Sequence, residues 1–261
     1  SRSAGALDRE LAVAAEAAKT AGAAVRDLYE RAAAASYVKG DGSPVTDADL
    51  ASDRIIRAAL HEAFPDDAIL TEEGGDDEIR LRAPRCWVVD PIDGTQQFID
   101  RTGEFDVLIA LVQDSRPILG VLYQPTTDTL LTAATGHGAW IERAGERRQL
   151  RFVPVAAGTP PRLMTSVWFG APENLAVLER AARRLDAYVP TVSPLGVIVR
   201  RFMPPDNAAD ALIGLYVEGH TDLAWEWDLA AAEVVVSEAG GIVSDVRGRP
   251  HRYNKPNPRN V

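Results

Sequence analysis

Apolar positions open the chain at helical spacing. Leu7, Leu11, Ala14, Ala18, Ala21, Val25 and Leu28 fall on one face of a helix covering much of residues 7–34. Lys39-Gly40-Asp41-Gly42-Ser43-Pro44 follows as a polar, Gly-rich loop. Thr46 then caps a second helix over residues 47–64, with Leu50, Ile55, Ala59 and Leu60 on one side. Pro65-Asp66-Asp67 ends it, and Ile69-Leu70 forms a short strand running into Glu72-Glu73-Gly74-Gly75. Cys86-Trp87-Val88-Val89 is an unbroken apolar run and reads as a buried strand. It ends at Asp90-Pro91-Ile92-Asp93-Gly94-Thr95, a rigid turn with two carboxylates three residues apart.

Beyond residue 95 the pattern changes to short apolar or β-prone runs at 107–112, 118–123, 129–134 and 139–142, with turn-prone segments between them. This predicts an antiparallel meander. Residues 154–161, rich in Ala, Gly and Pro, are a seam between lobes. A strand over 163–167, a helix over 173–185 and a strand over 188–192 come next. Residues 208–216 are apolar and compatible with either helix or strand. A helix over 228–239 is stopped by Gly240-Gly241, and a last strand over 242–246 precedes a turn at Arg247-Gly248. The alternation predicts an α/β or α+β layered class.

Composition narrows the partners. At 261 residues and 46% apolar content, the chain can bury a substantial core as one large domain or two lobes. No run of about 18 apolar residues appears, so no membrane-spanning helix is expected. The Ala-rich start carries Asp8, Glu10, Glu16, Lys19, Arg26 and Asp27, which suits an amphipathic helix and not a signal-peptide core. One cysteine, Cys86, excludes an internal disulfide and leads us to expect a reducing, cytoplasmic setting. A net charge of −10 argues against a nucleic-acid polymer as partner. It does not exclude a phosphorylated small molecule, because bound cations invert a local field.

The candidate chemistry lies in carboxylates at element ends. Glu72 follows a strand, Asp90 and Asp93 flank the rigid turn, Asp49 lies in the first turn of the second helix, and Asp228 opens the 228–239 helix. Each has a plain structural reading. Asp49 completes a capping box with Thr46, Asp228 caps its helix, and Glu72-Glu73 is a solvated edge. Together they suit hard divalent cations, which take oxygen ligands, and a two-metal site serves phosphoryl transfer. Gly94 and Thr95 start a short helix through Phe98, whose backbone amides would face an anion.

Asp90-Pro91-Ile92-Asp93-Gly94-Thr95 with Gln96-Gln97-Phe98 resembles a signature of the inositol monophosphatase superfamily. Trp227-Asp228-Leu229-Ala230-Ala231-Ala232, followed by Glu238-Ala239-Gly240-Gly241, resembles its second signature. Glu72-Glu73 and Val45-Thr46-Asp47-Ala48-Asp49 match two upstream elements, so the likeness covers nearly the whole chain. It implies an α-β-α-β-α layered fold and Mg²⁺-dependent, lithium-sensitive phosphomonoester hydrolysis. By position, Glu72, Asp90 and the Ile92 carbonyl would hold one Mg²⁺, and Asp90, Asp93 and Asp228 a second. A third, looser ion would lean on Glu72 through waters. Thr95 and Asp49 would orient and deprotonate the attacking water, and the Gly94 and Thr95 amides would bind phosphate. An N-terminal lobe, 1–155, would carry the meander and most ligands. A C-terminal lobe, 156–261, would supply Asp228 and the substrate pocket. His61, His137, His220 and His251 share no ligand spacing and read as structural or exposed.

For substrate, residues 103–111 and 117–123, Gly42-Ser43-Pro44-Val45-Thr46 and Arg252-Tyr253-Asn254-Lys255 resemble the 3'(2'),5'-bisphosphate nucleotidases. Those enzymes remove the 3'-phosphate of 3'-phosphoadenosine 5'-phosphate. Tyr216-Val217-Glu218 instead resembles the segment from which inositol phosphatases address a sugar-alcohol hydroxyl, although Glu218 also reads as an exposed charge. Arg200 and Arg201 stand in a stretch, 193–211, that departs from both patterns. They read either as contacts to a second phosphate or as a solvated pair. The expected partner is a small phosphorylated substrate, 3'-phosphoadenosine 5'-phosphate ahead of an inositol or sugar phosphate, and a homodimer stays open. A catalytically weak binding or regulatory relative is the reading from a different class. Retention of the five carboxylates and Thr95 speaks against it.

Overall fold

A computed structural model describes residues 7–40, 42–76, 78–166, 172–193, 209–214 and 224–259. Five α-helices are described: α1 (Asp8–Glu30), α2 (Asp47–Ala63), α3 (Thr95–Ile99), α4 (Pro172–Arg184) and α5 (Glu226–Glu238). The strands are β1 (Ser36–Val38), β2 (Pro44–Thr46), β3 (Ala68–Thr71), β4 (Arg85–Asp93), β5 (Asp106–Gln113), β6 (Arg116–Gln124), β7 (Thr129–Ala134), β8 (Gly138–Arg143), β9 (Glu146–Leu150), β10 (Leu163–Ser166), β11 (Thr191–Ser193) and β12 (Ala211–Leu212). A 3₁₀ turn covers Ile79–Arg82.

The chain divides into two compact units. One spans Ser1–Arg151 and Ala224–Val261, the other Phe152–Leu223. The expected division at 155/156 differs from this in its last segment. Helix α5, with Asp228, belongs to the first unit, because it packs on the meander.

In the first unit, seven strands run in the order β3-β4-β5-β6-β7-β8-β9. β3 and β4 are parallel, and every later neighbour is antiparallel. Side chains alternate across a strand. Trp87, Val89, Val107, Ile109, Leu111, Leu119, Val121 and Tyr123 therefore share a face and form one core with Ala14, Ala17, Ala18 and Ala21 of α1 and Ile56 and Leu60 of α2. The alanines let α1 lie close, and at Gly22 a methyl group would strike the Tyr123 ring. Gly120, between Leu119 and Val121, faces the other way. A methyl there would overlap the Ala231 carbonyl oxygen, so α5 covers the opposite face. The result is helix, sheet, helix. Cys86 lies in this sheet, fully buried, and burial pushes its thiol up to about 12.

Four expectations change. The loop expected over 39–44 joins a hairpin the sequence did not announce: β1 and β2 pair antiparallel on either side of it, with Pro44 already in β2. Polar Glu146–Leu150 forms an extra edge strand, β9, which alternation of apolar residues did not announce. Residues 242–246 form no strand. The Asp245 carboxylate accepts from the Arg247 and Arg249 amides instead, making a local turn, and Ile242 and Val246 stand exposed. The strand expected over 188–192 is displaced to β11, since Pro190 has no amide to give a ladder.

The second unit holds a parallel three-stranded sheet, β11-β10-β12, and α4. The 208–216 stretch contributes only β12 among the described residues. No described helix is long and apolar enough to cross a membrane.

Candidate active site

Helix α2 begins with a full capping box. Thr46 Oγ1 accepts from the Ala48 and Asp49 amides (3.2 and 3.4 Å), and the Asp49 carboxylate accepts from the Thr46 amide (2.8 Å) and hydroxyl. All of that uses Asp49 Oδ2. The second oxygen, Oδ1, accepts from Thr95 Oγ1 at 2.9 Å. The structural and the functional readings of Asp49 therefore hold together, one per carboxylate oxygen. Asp49 is 1% exposed, and burial raises its pKa against the Thr46 and Thr95 hydrogen bonds.

Strand β4 delivers Asp90, Ile92 and Asp93. It does not stop at Val89 as the sequence suggests but runs on through Asp93, with a register shift: Asp90 lies opposite Leu108 and Asp93 opposite Asp106. The extra residue is a bulge, which re-aims side chains, and Pro91, having no amide, is tolerated there. The Ile92 amide donates to Asp90 Oδ1 at 3.1 Å, and buried Ser52 Oγ donates to the Pro91 carbonyl at 2.8 Å, tying the bulge to α2. Thr95 Oγ1 also lies 3.3 Å from the Ile92 carbonyl oxygen. Gly94 turns the chain into α3 at φ +99°. A methyl there would stand 2.9 Å from the Glu104 carbonyl oxygen, so glycine is required.

Asp90 is 1% exposed. Burial raises its pKa well above the usual carboxylate range, and repulsion from Glu72, Asp93, Asp228 and Asp49 raises it further. Asp228, in the first turn of α5, accepts from the Trp225 amide at 2.7 Å. Burial pushes it up to about 7 against that hydrogen bond, with Glu72 adding to the rise and Lys39 opposing it.

Lys39 is a residue the sequence reading missed. Its Nζ lies 2.6 Å from both Glu72 Oε1 and Glu73 Oε1. Burial would lower the lysine pKa, but the two carboxylates raise it instead. The only sequence signal was one cation in a Gly-rich loop, with nothing to name its partners. Arg200 and Glu218 lie outside the described residues.

Among the described residues, no group of three or more His, Cys, Asp or Glu stands disposed to hold a metal ion. The carboxylates are engaged locally: Glu72 by Lys39, Asp228 by the Trp225 amide, Asp90 by the Ile92 amide. In kind, the donors fit a hard divalent cation. They are oxygens, and the central one is a buried carboxylate facing four like charges, a situation such an ion relieves.

The fold is a mixed α/β sandwich, and with this site it defines a class. The chain belongs to the inositol monophosphatase family, whose model matches residues 6–260. It is 35% identical over 239 residues to "3'(2'),5'-bisphosphate nucleotidase CysQ" of Escherichia coli (strain K12), covering 90% of each chain. It is 33% identical over 242 residues to the protein of the same name from Aggregatibacter actinomycetemcomitans, covering 92% of this chain and 86% of that one. In structure it resembles CysQ from Bacteroides thetaiotaomicron, described as a bacterial member of the same family. The TM-score is 0.77 at 27% identity, with 97% of this chain and 95% of the other covered.

Proposed function

We propose that this protein is a Mg²⁺-dependent phosphomonoesterase that removes the 3'-phosphate of 3'-phosphoadenosine 5'-phosphate. The observation carrying the chemistry is the Thr95–Asp49 hydrogen bond beside the buried Asp90 carboxylate. The relatives named as bisphosphate nucleotidases support the substrate.

Glu72, Asp90, the Ile92 carbonyl, Asp93 and Asp228 would hold two to three Mg²⁺ ions. When bound, Mg²⁺ supplies charge neutralisation at phosphate oxygens and acidifies water. The remaining work falls to the chain. Thr95 Oγ1 donates to Asp49 Oδ1, which leaves a hydroxyl lone pair to accept from a water. As that water's oxygen attacks phosphorus, its proton moves to Thr95 and the threonine's proton to Asp49. Burial has raised the Asp49 pKa, which makes it a better acceptor. The ester P–O bond breaks, the departing 3'-oxygen takes a proton from a solvent water, and Asp49 returns the proton it gained to solvent, so that protons balance over the cycle. The Gly94 and Thr95 amides face the phosphate.

The test is phosphate release from 3'-phosphoadenosine 5'-phosphate, inositol 1-phosphate and fructose 1,6-bisphosphate, with and without Mg²⁺. It is run on the wild type and on Asp93→Asn. The expected result is the highest kcat/KM for the nucleotide and loss of release in the variant or without metal. Preference for inositol phosphate would overturn the substrate, and no Mg²⁺-dependent release from any ester would overturn the reaction.

A further inference from the structure

The segment Arg252-Tyr253-Asn254-Lys255 takes no part in the chemistry above, yet it sits at the centre of a polar network built around two buried charges, Arg80 and Glu226. Arg80, 3% exposed, directs Nε and Nη2 to Asp76 (3.0 and 2.6 Å), Nη1 to Asn254 Oδ1 (2.7 Å) and Nη2 also to the Lys255 carbonyl (2.9 Å). Asn254 returns its side-chain amide to the Arg80 carbonyl at 3.0 Å. The next link is Glu226, which is fully buried. Its carboxylate accepts from the Asn254 amide, the Lys255 amide (3.1 Å) and Lys255 Nζ (2.7 Å).

The ends of this network matter. Glu226 is the first residue of α5, and Asp228 stands two residues on, its carboxylate fixed by the Trp225 amide. The Glu226 amide itself donates to the Pro258 carbonyl at 2.8 Å, and Arg259 stacks over Trp225 at 4.4 Å. At the other end, Asp76 lies four residues after Glu72, on the loop leaving β3. One arginine thus joins the Glu72 loop to the C-terminal segment, and one glutamate joins that segment to the helix start carrying Asp228. Arg80 and Glu226 are buried charges, which is costly unless both are paired. Here two cations and two carboxylates pair with one another and with backbone groups. An apolar plug would fill the space without fixing the angle of α5, whereas forked hydrogen bonds fix it.

We infer that Arg80, Asn254 and Glu226 are positioning residues that hold Asp228 in register with Glu72, so that each carboxylate reaches its own divalent cation on either side of the shared Asp90. This rests on the Mg²⁺ reading above. Residues that orient metal ligands typically set affinity by 10–100-fold.

The experiment titrates Mg²⁺ alone into the full chain, followed by calorimetry and by the shift in Tm, with no substrate present. The variants are Arg80→Lys, Glu226→Gln and Asn254→Gly. The last is the mildest. Asn254 has φ +56°, which glycine adopts without strain, and its backbone amide to Glu226 survives while the link to Arg80 is cut. Leu130→Ala, a core truncation in β7 on the sheet face packed by α1 and α2, serves as a protein weakened without touching the network.

The expected result is a Mg²⁺ Kd raised about 10-fold or more in Arg80→Lys and Glu226→Gln, and by a smaller factor in Asn254→Gly. Leu130→Ala should keep the wild-type Kd despite a lower Tm. Where Arg80→Lys or Glu226→Gln fails to fold, Asn254→Gly decides. Unchanged Kd in the folded variants, or an equal loss in Leu130→Ala, overturns the positioning role alone. No Mg²⁺ binding by the wild type overturns the metal reading and this inference with it.

Discussion

Asp49→Asn separates the two duties of Asp49. In the wild type, Oδ2 accepts from the Thr46 amide at 2.8 Å and from its hydroxyl, while Oδ1 accepts from Thr95 at 2.9 Å. An asparagine whose carbonyl oxygen takes the Oδ2 position keeps the cap. Its NH₂ then faces Thr95 Oγ1 and donates to it. The threonine hydroxyl turns to the Ile92 carbonyl, 3.3 Å away. Each buried group keeps a partner, and the buried charge is gone, so stability should stay within about 1 kcal/mol of wild type. Asp49→Ala is different. It loses the N3 half of the capping box, the carboxylate that accepts from the Thr46 amide, about 1 kcal/mol, and strands at least one buried donor, about 1–3 kcal/mol more. That total, about 2–4 kcal/mol, lowers Tm by roughly 4–16 °C in a chain of this size. Neither variant has a base, and general-base catalysis contributes about 10²–10⁴-fold. Both should therefore lose at least about 100-fold in kcat at saturating Mg²⁺. The assays are urea or thermal denaturation and phosphate release on the same preparations. Asp49→Asn with kcat within tenfold of wild type would reduce Asp49 to a cap. Asp49→Asn as unstable as Asp49→Ala would refute the hydrogen-bond accounting.

Gly120→Ala places a methyl on the Ala231 carbonyl, and backbone cannot swing aside as a side-chain tip can. Overpacking of this kind costs about 1–3 kcal/mol, read as a lower midpoint in urea; wild-type stability would refute the close contact of α5 with β6. Asp228 supplies a pH test. Its folded pKa, about 7, stands above its ordinary 3.8 through burial and Glu72. In metal-free protein its contribution is therefore complete below about pH 4 and is lost as pH rises through 7. Mg²⁺ pairs with the ionised form, so it should raise Tm more at pH 8 than at pH 5. Equal shifts at the two pH values would remove Asp228 from the cation site.

What was legible at the candidate site was local. The Thr46–Asp49 capping box is a four-residue pattern, and Gly94 marks the turn into α3, but the turn expected from Asp90 onwards is the bulged end of β4. The meander was legible for the same reason, since strands buried on both faces read as apolar runs. What failed were features without a local signature. β9 is polar because it is a sheet edge, and β1–β2 is an exposed hairpin. Residues 242–246 have strand-like composition, but Asp245 satisfies nearby amides and turns the chain instead. Lys39 could be seen as a charge but not as the partner of Glu72 and Glu73.

The sequence alone singled out the candidate donors, five carboxylates and a threonine, from capping and turn chemistry that acts over a few residues; Asp90, expected at a strand end, lies inside β4. The tertiary structure decided what each donor faces. The bulge in β4 carries Asp90 on into buried surroundings where the Ile92 amide meets it, the second oxygen of Asp49 meets a threonine 46 positions away, and a C-terminal segment clasps the start of α5. Those relations depend on long-range packing, where pairing is set by which surfaces meet and not by which residues are neighbours in the chain.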